Sequence, residues 1–336
     1  MSIVDDFIAE RGVLLADGAT GTNLFDMGLE SGYPPELWNV EHPDRIRALY
    51  NGFLSAGSDI ILTNSFGGNS FRMKLHQAED RIFELNKASA DLARECVEAC
   101  DRSVLVAGSV GPTGELFEPL GALTMDSAID AFVEQMEGLK AGGVDIIWIE
   151  TMSAEEEILA AAEAARRVEM PYCVTASFDT AGRTMMGLEP SALPTVFQKC
   201  ENQPSWFGSN CGVGASDLVL SVTAMAEADP NATIVAKANC GIPQVRGDGV
   251  HYTGTPELMA DYVRLAIDAG AKVIGGCCGT TFAHIAAMRE AIDTHTRGTR
   301  PDRALIEAKI GPLVSPPNTN SGNDNRSGRR RSRRTS

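Results

Sequence analysis

Two short stretches place thiols where a strand would run into a loop. One is Gly275-Gly276-Cys277-Cys278-Gly279-Thr280, preceded by Val273 and Ile274. The other is Gly208-Ser209-Asn210-Cys211-Gly212-Val213-Gly214, preceded by Trp206 and Phe207. An apolar run ending in a glycine-flanked polar residue is how a strand leads into a functional loop. Two adjacent thiolates and a third from a distant loop supply three soft ligands to zinc. The fourth position then stays open, as in catalytic rather than structural zinc sites. An open position beside three thiolates suits an incoming sulfur, because coordination deprotonates a thiol outright. The chemistry implied is thiol activation on zinc. Against it stands the reading of buried cysteines as small hydrophobes, and the chain has no C-x-x-C zinc signature.

These residues need elements to position them, and strand-like and helix-like segments alternate along the whole chain. Apolar runs at 13–16, 59–63, 104–107, 144–149, 172–177, 206–210, 233–237 and 272–274 read as strands. Helical spacing follows them near 44–56, 80–100, 126–141, 153–167, 190–200, 215–228, 255–269 and 281–294. In the fourth helix Ser153 is expected as N-cap, with Glu156 completing a capping box. Eight strand–helix units predict an α/β fold, a closed (β/α)8 TIM barrel with helices outside. A doubly wound open sheet is the alternative, but no G-x-G-x-x-G follows the first strand. In a barrel, Asp17, Thr63, Asn64, Glu150, Asn210, Cys211, Asn239, Cys277 and Cys278 all fall just after strands. Those ends share one face, where active sites are built. An isolated strand-end Asp is usually a turn-former, whereas a ring of polar groups with thiols is harder to explain that way.

Composition bounds the rest. A chain of 336 residues accommodates one barrel of roughly 250 residues plus extensions. No apolar run approaches a membrane span, and the acidic start Met1-Ser2-Ile3-Val4-Asp5-Asp6 is no secretory signal. Eight cysteines without such a signal point to thiols in a reducing, cytoplasmic compartment. Net charge is −16, unevenly spread. Residues 313–336 hold six arginines (Arg326, Arg329, Arg330, Arg331, Arg333 and Arg334) and one acid, Asp324. Taking that +5 from −16 leaves −21 on residues 1–312, which argues against nucleic-acid binding by the barrel. We therefore divide the chain into a barrel over 1–312 and a basic tail over 313–336. The tail's Asn, Ser, Gly and Pro content reads as disorder.

At these residues the chain resembles the homocysteine S-methyltransferase family. The matching stretches are Asp17-Gly18-Ala19-Thr20-Gly21-Thr22, Ala56-Gly57-Ser58-Asp59-Ile60-Ile61-Leu62-Thr63-Asn64-Ser65-Phe66, Glu150-Thr151-Met152, the Cys211 loop and the Cys277-Cys278 turn. The resemblance implies zinc held by Cys211, Cys277 and Cys278, with homocysteine sulfur as the next ligand and methionine as product. It also implies that Asp17 and Glu150 receive the substrate ammonium, and that backbone amides around Gly18 and Ala19 receive its carboxylate. The thiol chemistry agrees: a thiol of pKa ~8.5 is mostly protonated at neutral pH until a metal or cation lowers it. Relatives commonly carry alanine where Cys240 stands in Asn239-Cys240-Gly241, and Cys240 is read as a bystander beside the metal site.

Relatives divide by methyl donor. Onium donors carry a fixed positive charge that aromatic faces recognise, and the candidate faces are Tyr33, Trp38 and Phe66. The expectation is transfer from glycine betaine to homocysteine, giving methionine and dimethylglycine. The alternatives are a methylcorrinoid fed by methyltetrahydrofolate on a separate partner protein, or a sulfonium donor such as S-methylmethionine or S-adenosylmethionine. A non-enzymatic zinc or redox-sensing barrel would use the same thiols but would need neither Asp17 nor Glu150. Assembly as a homo-oligomer is compatible with the resemblance, although the long C-terminal arm of the animal betaine enzymes has no counterpart here.

Overall fold

Eight short apolar segments pair side by side, all parallel, and position the thiols. The computed structural model describes residues 3–241, 243–246 and 249–315. The strands are β1 (Leu14–Leu15), β2 (Ile60–Leu62), β3 (Leu105–Val110), β4 (Ile146–Met152), β5 (Tyr172–Ala176), β6 (Trp206–Cys211), β7 (Ile234–Ala238) and β8 (Ala271–Gly276). Hydrogen bonding runs in the order β1-β8-β7-β6-β5-β4-β3-β2. The ring closes where Ala16 bridges Ile60 and the Asp59 amide donates to the Leu15 carbonyl at 2.6 Å. This is the (β/α)8 barrel expected from the alternation of elements.

The period-2 alternation of the strands sorts side chains into two cores. Ile146 and Trp148 of β4, Cys173 of β5, Trp206 of β6, Val235 of β7 and Val273 of β8 fill the barrel interior. Trp148 and Trp206 meet edge to face there, with centroids 6.4 Å apart. Their neighbours Ile147, Ile149, Val174, Phe207 and Ile274 point outward under the helices. Continuing inward by the same parity, the next positions toward the strand ends are Ser109, Glu150, Thr175, Lys237 and Gly275. The floor of the mouth is therefore polar by register.

The local structure departs from expectation in three places. The helix Glu155–Arg167 is capped by Ala154, which makes no side-chain cap bond, so the Ser153–Glu156 capping box does not form. The reason lies in β4, which runs on to Met152 through a register shift after Ile149 and delays the helix start. Three glutamates in the first turn, Glu155, Glu156 and Glu157, face the helix dipole instead. A helix, Thr20–Asp26, precedes the first segment in which helical spacing is legible, 44–56. An antiparallel hairpin, Pro243–Arg246 with Gly249–Tyr252, is inserted between β7 and the helix Pro256–Ala269.

Beyond the barrel, the helix Arg303–Ile310 packs against the helices Ala215–Ala228 and Pro256–Ala269. The carboxylate of Asp217 accepts the amides of Val314 and Ser315, both at 2.9 Å. The expected basic tail lies outside the described residues from 316 onward. Among the described residues no helix is long and apolar enough to cross a membrane.

Candidate active site

Cys211 ends β6 in a left-handed conformation, φ 58°, and Gly212 follows at φ 70°. A non-glycine residue held there costs energy and marks a backbone fixed by its surroundings. Asn239, just past β7, supplies that fixation. Its amide nitrogen donates to the Gly212 carbonyl at 2.9 Å, and its oxygen accepts the Cys278 amide at 3.1 Å. One side chain thus ties both cysteine loops together. The three sulfurs converge: Cys211 Sγ lies 2.8 Å from Cys277 Sγ and 3.9 Å from Cys278 Sγ, and all three fall within 4.8 Å of one another.

This donor set fits zinc. Tetrahedral bonds of about 2.3 Å place ligand sulfurs about 3.8 Å apart. The Cys211–Cys278 separation already matches, and the Cys211–Cys277 contact needs to open by about 1 Å. Hydrogen bonds from Cys211 and Cys277 hold the Cys278 thiol well below its usual range, while its bonds to the other two, with burial, push Cys211 up. The cluster shares its protons and favours one thiolate, which a dication would extend to all three. Cys240 is not part of it. Its sulfur donates to the Gly254 carbonyl at 3.3 Å, and burial lifts its pKa to about 11.

Beside the sulfurs lie two carboxylates with different surroundings. Asp17 is 1% exposed and both its oxygens are engaged. Oδ1 accepts Lys237 Nζ at 2.8 Å and Oδ2 accepts the Leu62 amide at 2.8 Å. Lys237 reaches it from β7 across β8, where Gly275 stands. A Cβ at that position would lie 2.9 Å from Lys237 Cγ, so the crossing requires glycine. Burial alone would discharge Lys237, but Asp17, Glu150 and Cys277 outweigh it and hold the ammonium above its usual range. Glu150 has one oxygen, Oε1, accepting the Ser109 hydroxyl at 2.5 Å. Burial pushes Glu150 up to about 7, against the pull of Lys237. Such a carboxyl is poised to ionise when a cation arrives.

Glu150 is aimed by its neighbour. Thr151 sits at φ 63°, a rare conformation for a β-branched residue. Asn210 holds it there, accepting the Thr151 amide at 2.8 Å and donating to its hydroxyl at 2.7 Å.

Residues 14–292 match the homocysteine S-methyltransferase family. The chain belongs to this family. Among curated proteins, it is 28% identical to the methionine synthase of Mycobacterium tuberculosis (strain ATCC 25618 / H37Rv) and 27% identical to that of Mycobacterium leprae (strain TN), over 88% of this chain in each case. It spans about a quarter of their length, 26% and 25%. Among solved structures, the homocysteine methyltransferase MmuM from Escherichia coli superposes with TM-score 0.71 in its oxidised form. Identity there is 24%, covering 84% of this chain and 97% of that one. Its metallated form gives the same TM-score and identity, covering 85% and 98%. These structural likenesses establish a shared fold.

The family's other expected contacts are placed unevenly. The Ala19 amide donates to the Thr280 carbonyl at 3.1 Å, which leaves Gly18 as the amide of the pair with no partner among the described residues. Trp38 is 4% exposed, and the Arg45 guanidinium lies 4.6 Å from its ring centroid, so that face is covered. Phe66 and Tyr33 are exposed, at 36% and 38%, and the Tyr33 hydroxyl donates to Glu41. Sequence reasoning missed Lys237, Ser109 and Thr151. Lys237 carried a signal, as the one charged residue in the apolar run Thr233–Ala238 at an inward-facing position. Thr151 carried none, because its backbone conformation comes from the bulge and from Asn210.

Proposed function

We propose that this chain transfers a methyl group to the sulfur of homocysteine, held at a zinc site formed by Cys211, Cys277 and Cys278. The observation carrying the proposal is the convergence of those three sulfurs beside the buried Glu150. Zinc, when bound, supplies a Lewis acid that keeps the substrate sulfur as a thiolate. MmuM, a homocysteine methyltransferase by its own description, has been solved in a metallated form. Around the metal the protein's residues do the positioning. Asn239 and Asn210 fix the loops, and Glu150 offers a carboxylate to the substrate ammonium. Asp17, with both oxygens engaged, orders the site through Lys237 instead of meeting the ammonium directly. The substrate sulfur then attacks the methyl carbon in line, and the donor leaves with the electrons of the broken bond. No general base is needed in that step.

For the donor, glycine betaine remains our reading, with dimethylglycine as coproduct, and Phe66 and Tyr33 are the exposed aromatic faces that could meet its quaternary nitrogen. A second reading has its own support. Trp38 is covered by Arg45, which removes one wall of an onium cage, and the curated relatives are methionine synthases. A methylcorrinoid on a separate protein would then present the methyl group at the mouth. Zinc-reconstituted protein with homocysteine should form methionine when given betaine. Methionine from methylcobalamin but not from betaine would select the second reading, and failure with betaine, methylcobalamin, S-methylmethionine and S-adenosylmethionine alike would overturn the enzymatic proposal.

A further inference from the structure

A metal dication among three thiolates leaves a centre of net negative charge, and a substrate thiolate adds to it. Hydrogen bonds given to the ligand sulfurs offset such charge. Asn210 supplies one at long range, its amide nitrogen 3.9 Å from Cys277 Sγ. The Cys278 sulfur is hydrogen-bonded from outside the cysteine loops, by the hydroxyl of Tyr252. Tyr252 ends the hairpin strand Gly249–Tyr252, and the chain that follows it is tied down. The Gly254 amide donates to the Cys240 carbonyl at 3.0 Å, and the Cys240 amide donates to the Cys278 carbonyl at 2.9 Å. His284 adds a second tie. Its Nδ1 accepts the Thr281 amide at 3.1 Å, which leaves the proton on Nε2 to donate to the Gly254 carbonyl at 3.3 Å. The phenol ring is thereby laid on the cysteine turn. A Cβ on Gly279, at φ 79°, would fall 2.3 Å from Tyr252 Cγ, so only glycine admits the ring there.

We propose that Tyr252 is a positioning residue for the metal centre, its hydroxyl donating a hydrogen bond to the Cys278 thiolate and drawing charge off that sulfur. The direction follows from the groups. A thiolate has no proton to give, and a phenol of ordinary pKa ~10 keeps its own at neutral pH. A sulfur that gives less charge to the metal leaves a stronger Lewis acid for the substrate thiol. This inference rests on the zinc reading above and extends it from the three ligands to a residue that sets their charge.

The test replaces zinc by cobalt(II) in the full-length protein, because sulfur-to-cobalt charge transfer reports the charge on the ligand sulfurs. Tyr252→Phe keeps the ring on Gly279 and removes only the hydroxyl. Its charge-transfer band should move to longer wavelength than in wild type, and its zinc affinity, from chelator competition, should fall about 10- to 100-fold. Fluorotyrosine at position 252, a stronger donor of nearly the same shape, should move the band to shorter wavelength. Tyr172→Phe is the control. It loses a hydroxyl that donates to the Asn202 carbonyl at 2.6 Å, at the start of β5, and should match wild type in band and affinity. A band that neither change at position 252 moves overturns the assignment, even where Tyr252→Phe binds zinc more weakly, since Tyr252 would then only support the turn by packing. A wild-type protein that retains neither zinc nor cobalt overturns the zinc reading and this inference together.

Discussion

Two aspartates lie at opposite ends of the barrel wall shared by β1 and β2. Asp59, just before β2, is 5% exposed and meets Arg11 at 2.6 Å, Arg289 at 2.9 Å and Arg102 at 3.7 Å, and it also accepts the Leu15 amide. Asp17, just after β1, is 1% exposed and meets a single Lys237 with the Leu62 amide. At the Asp59 end the cations outnumber the carboxylate, their side chains reach solvent, and the network pins the helices Phe282–Thr294 and Ile3–Arg11 to the barrel floor. At the Asp17 end one fully buried cation serves one carboxylate and stands near a second, Glu150. At the first end both carboxylate oxygens are taken by arginines and the Leu15 amide. At the second, the neighbouring Glu150 is held through one oxygen by Ser109 and keeps the other for a ligand. Charge density alone does not mark an active site, but unused capacity at the strand C-terminal face does.

The largest contrast between the two ends is expected in metal binding. Cys211→Ala, Cys277→Ala or Cys278→Ala should each abolish zinc retention, read as metal per chain after dialysis, while Arg289→Ala and Cys240→Ala keep it. Zinc retained by Cys211→Ala but lost by Cys240→Ala would mean that the ligand set is wrong. Glu150 should give the next effect, through pH. Its native pKa of about 7 lies above the ordinary 4.5, so the folded protein binds that proton more tightly. The stability it contributes is complete below about 4.5 and is lost as pH rises through about 7, about 3 kcal/mol in all. In urea unfolding of the metal-free protein, Glu150→Gln should therefore gain on wild type by about that amount across this window. A constant difference between the two proteins would show that Glu150 titrates alike in the folded and unfolded chains, with no raised native pKa. The smallest effect belongs to the other end. Asp59→Asn should lower stability by about 1–2 kcal/mol, since its arginines are partly solvated, and leave homocysteine affinity unchanged. Weakened homocysteine binding in that variant would erase the distinction between the two ends.

Much of the molecule was legible from periodicity. Strand-end residues could be counted because the alternation of apolar runs and helical spacing is local and repeats eight times. The thiols were legible because cysteines between glycines after an apolar run are rare in type and in position. The Ser153 cap failed because the bulge in β4 moved the helix start, a matter of pairing with β5 and not of the helix itself. Trp38 was read as open to a ligand because sequence shows an aromatic residue without showing that Arg45 lies on its ring. Asp17 was assigned to the substrate because nothing near it in sequence announces a lysine that is 220 residues away.

From the sequence alone follow the barrel, the face on which its polar ends gather, and the three sulfurs proposed to hold the metal. Each of these depends on residue type and on spacing within one strand–loop–helix unit, and such short-range information survives in a linear chain. Tertiary structure decided which of two similar carboxylates is free. Asp17 is engaged and Glu150 is available because closing the barrel brings β7 within a lysine's length of β1, with a glycine of β8 letting the side chain pass. That outcome depends on strand order and inward parity together, and neither is a property of any one segment.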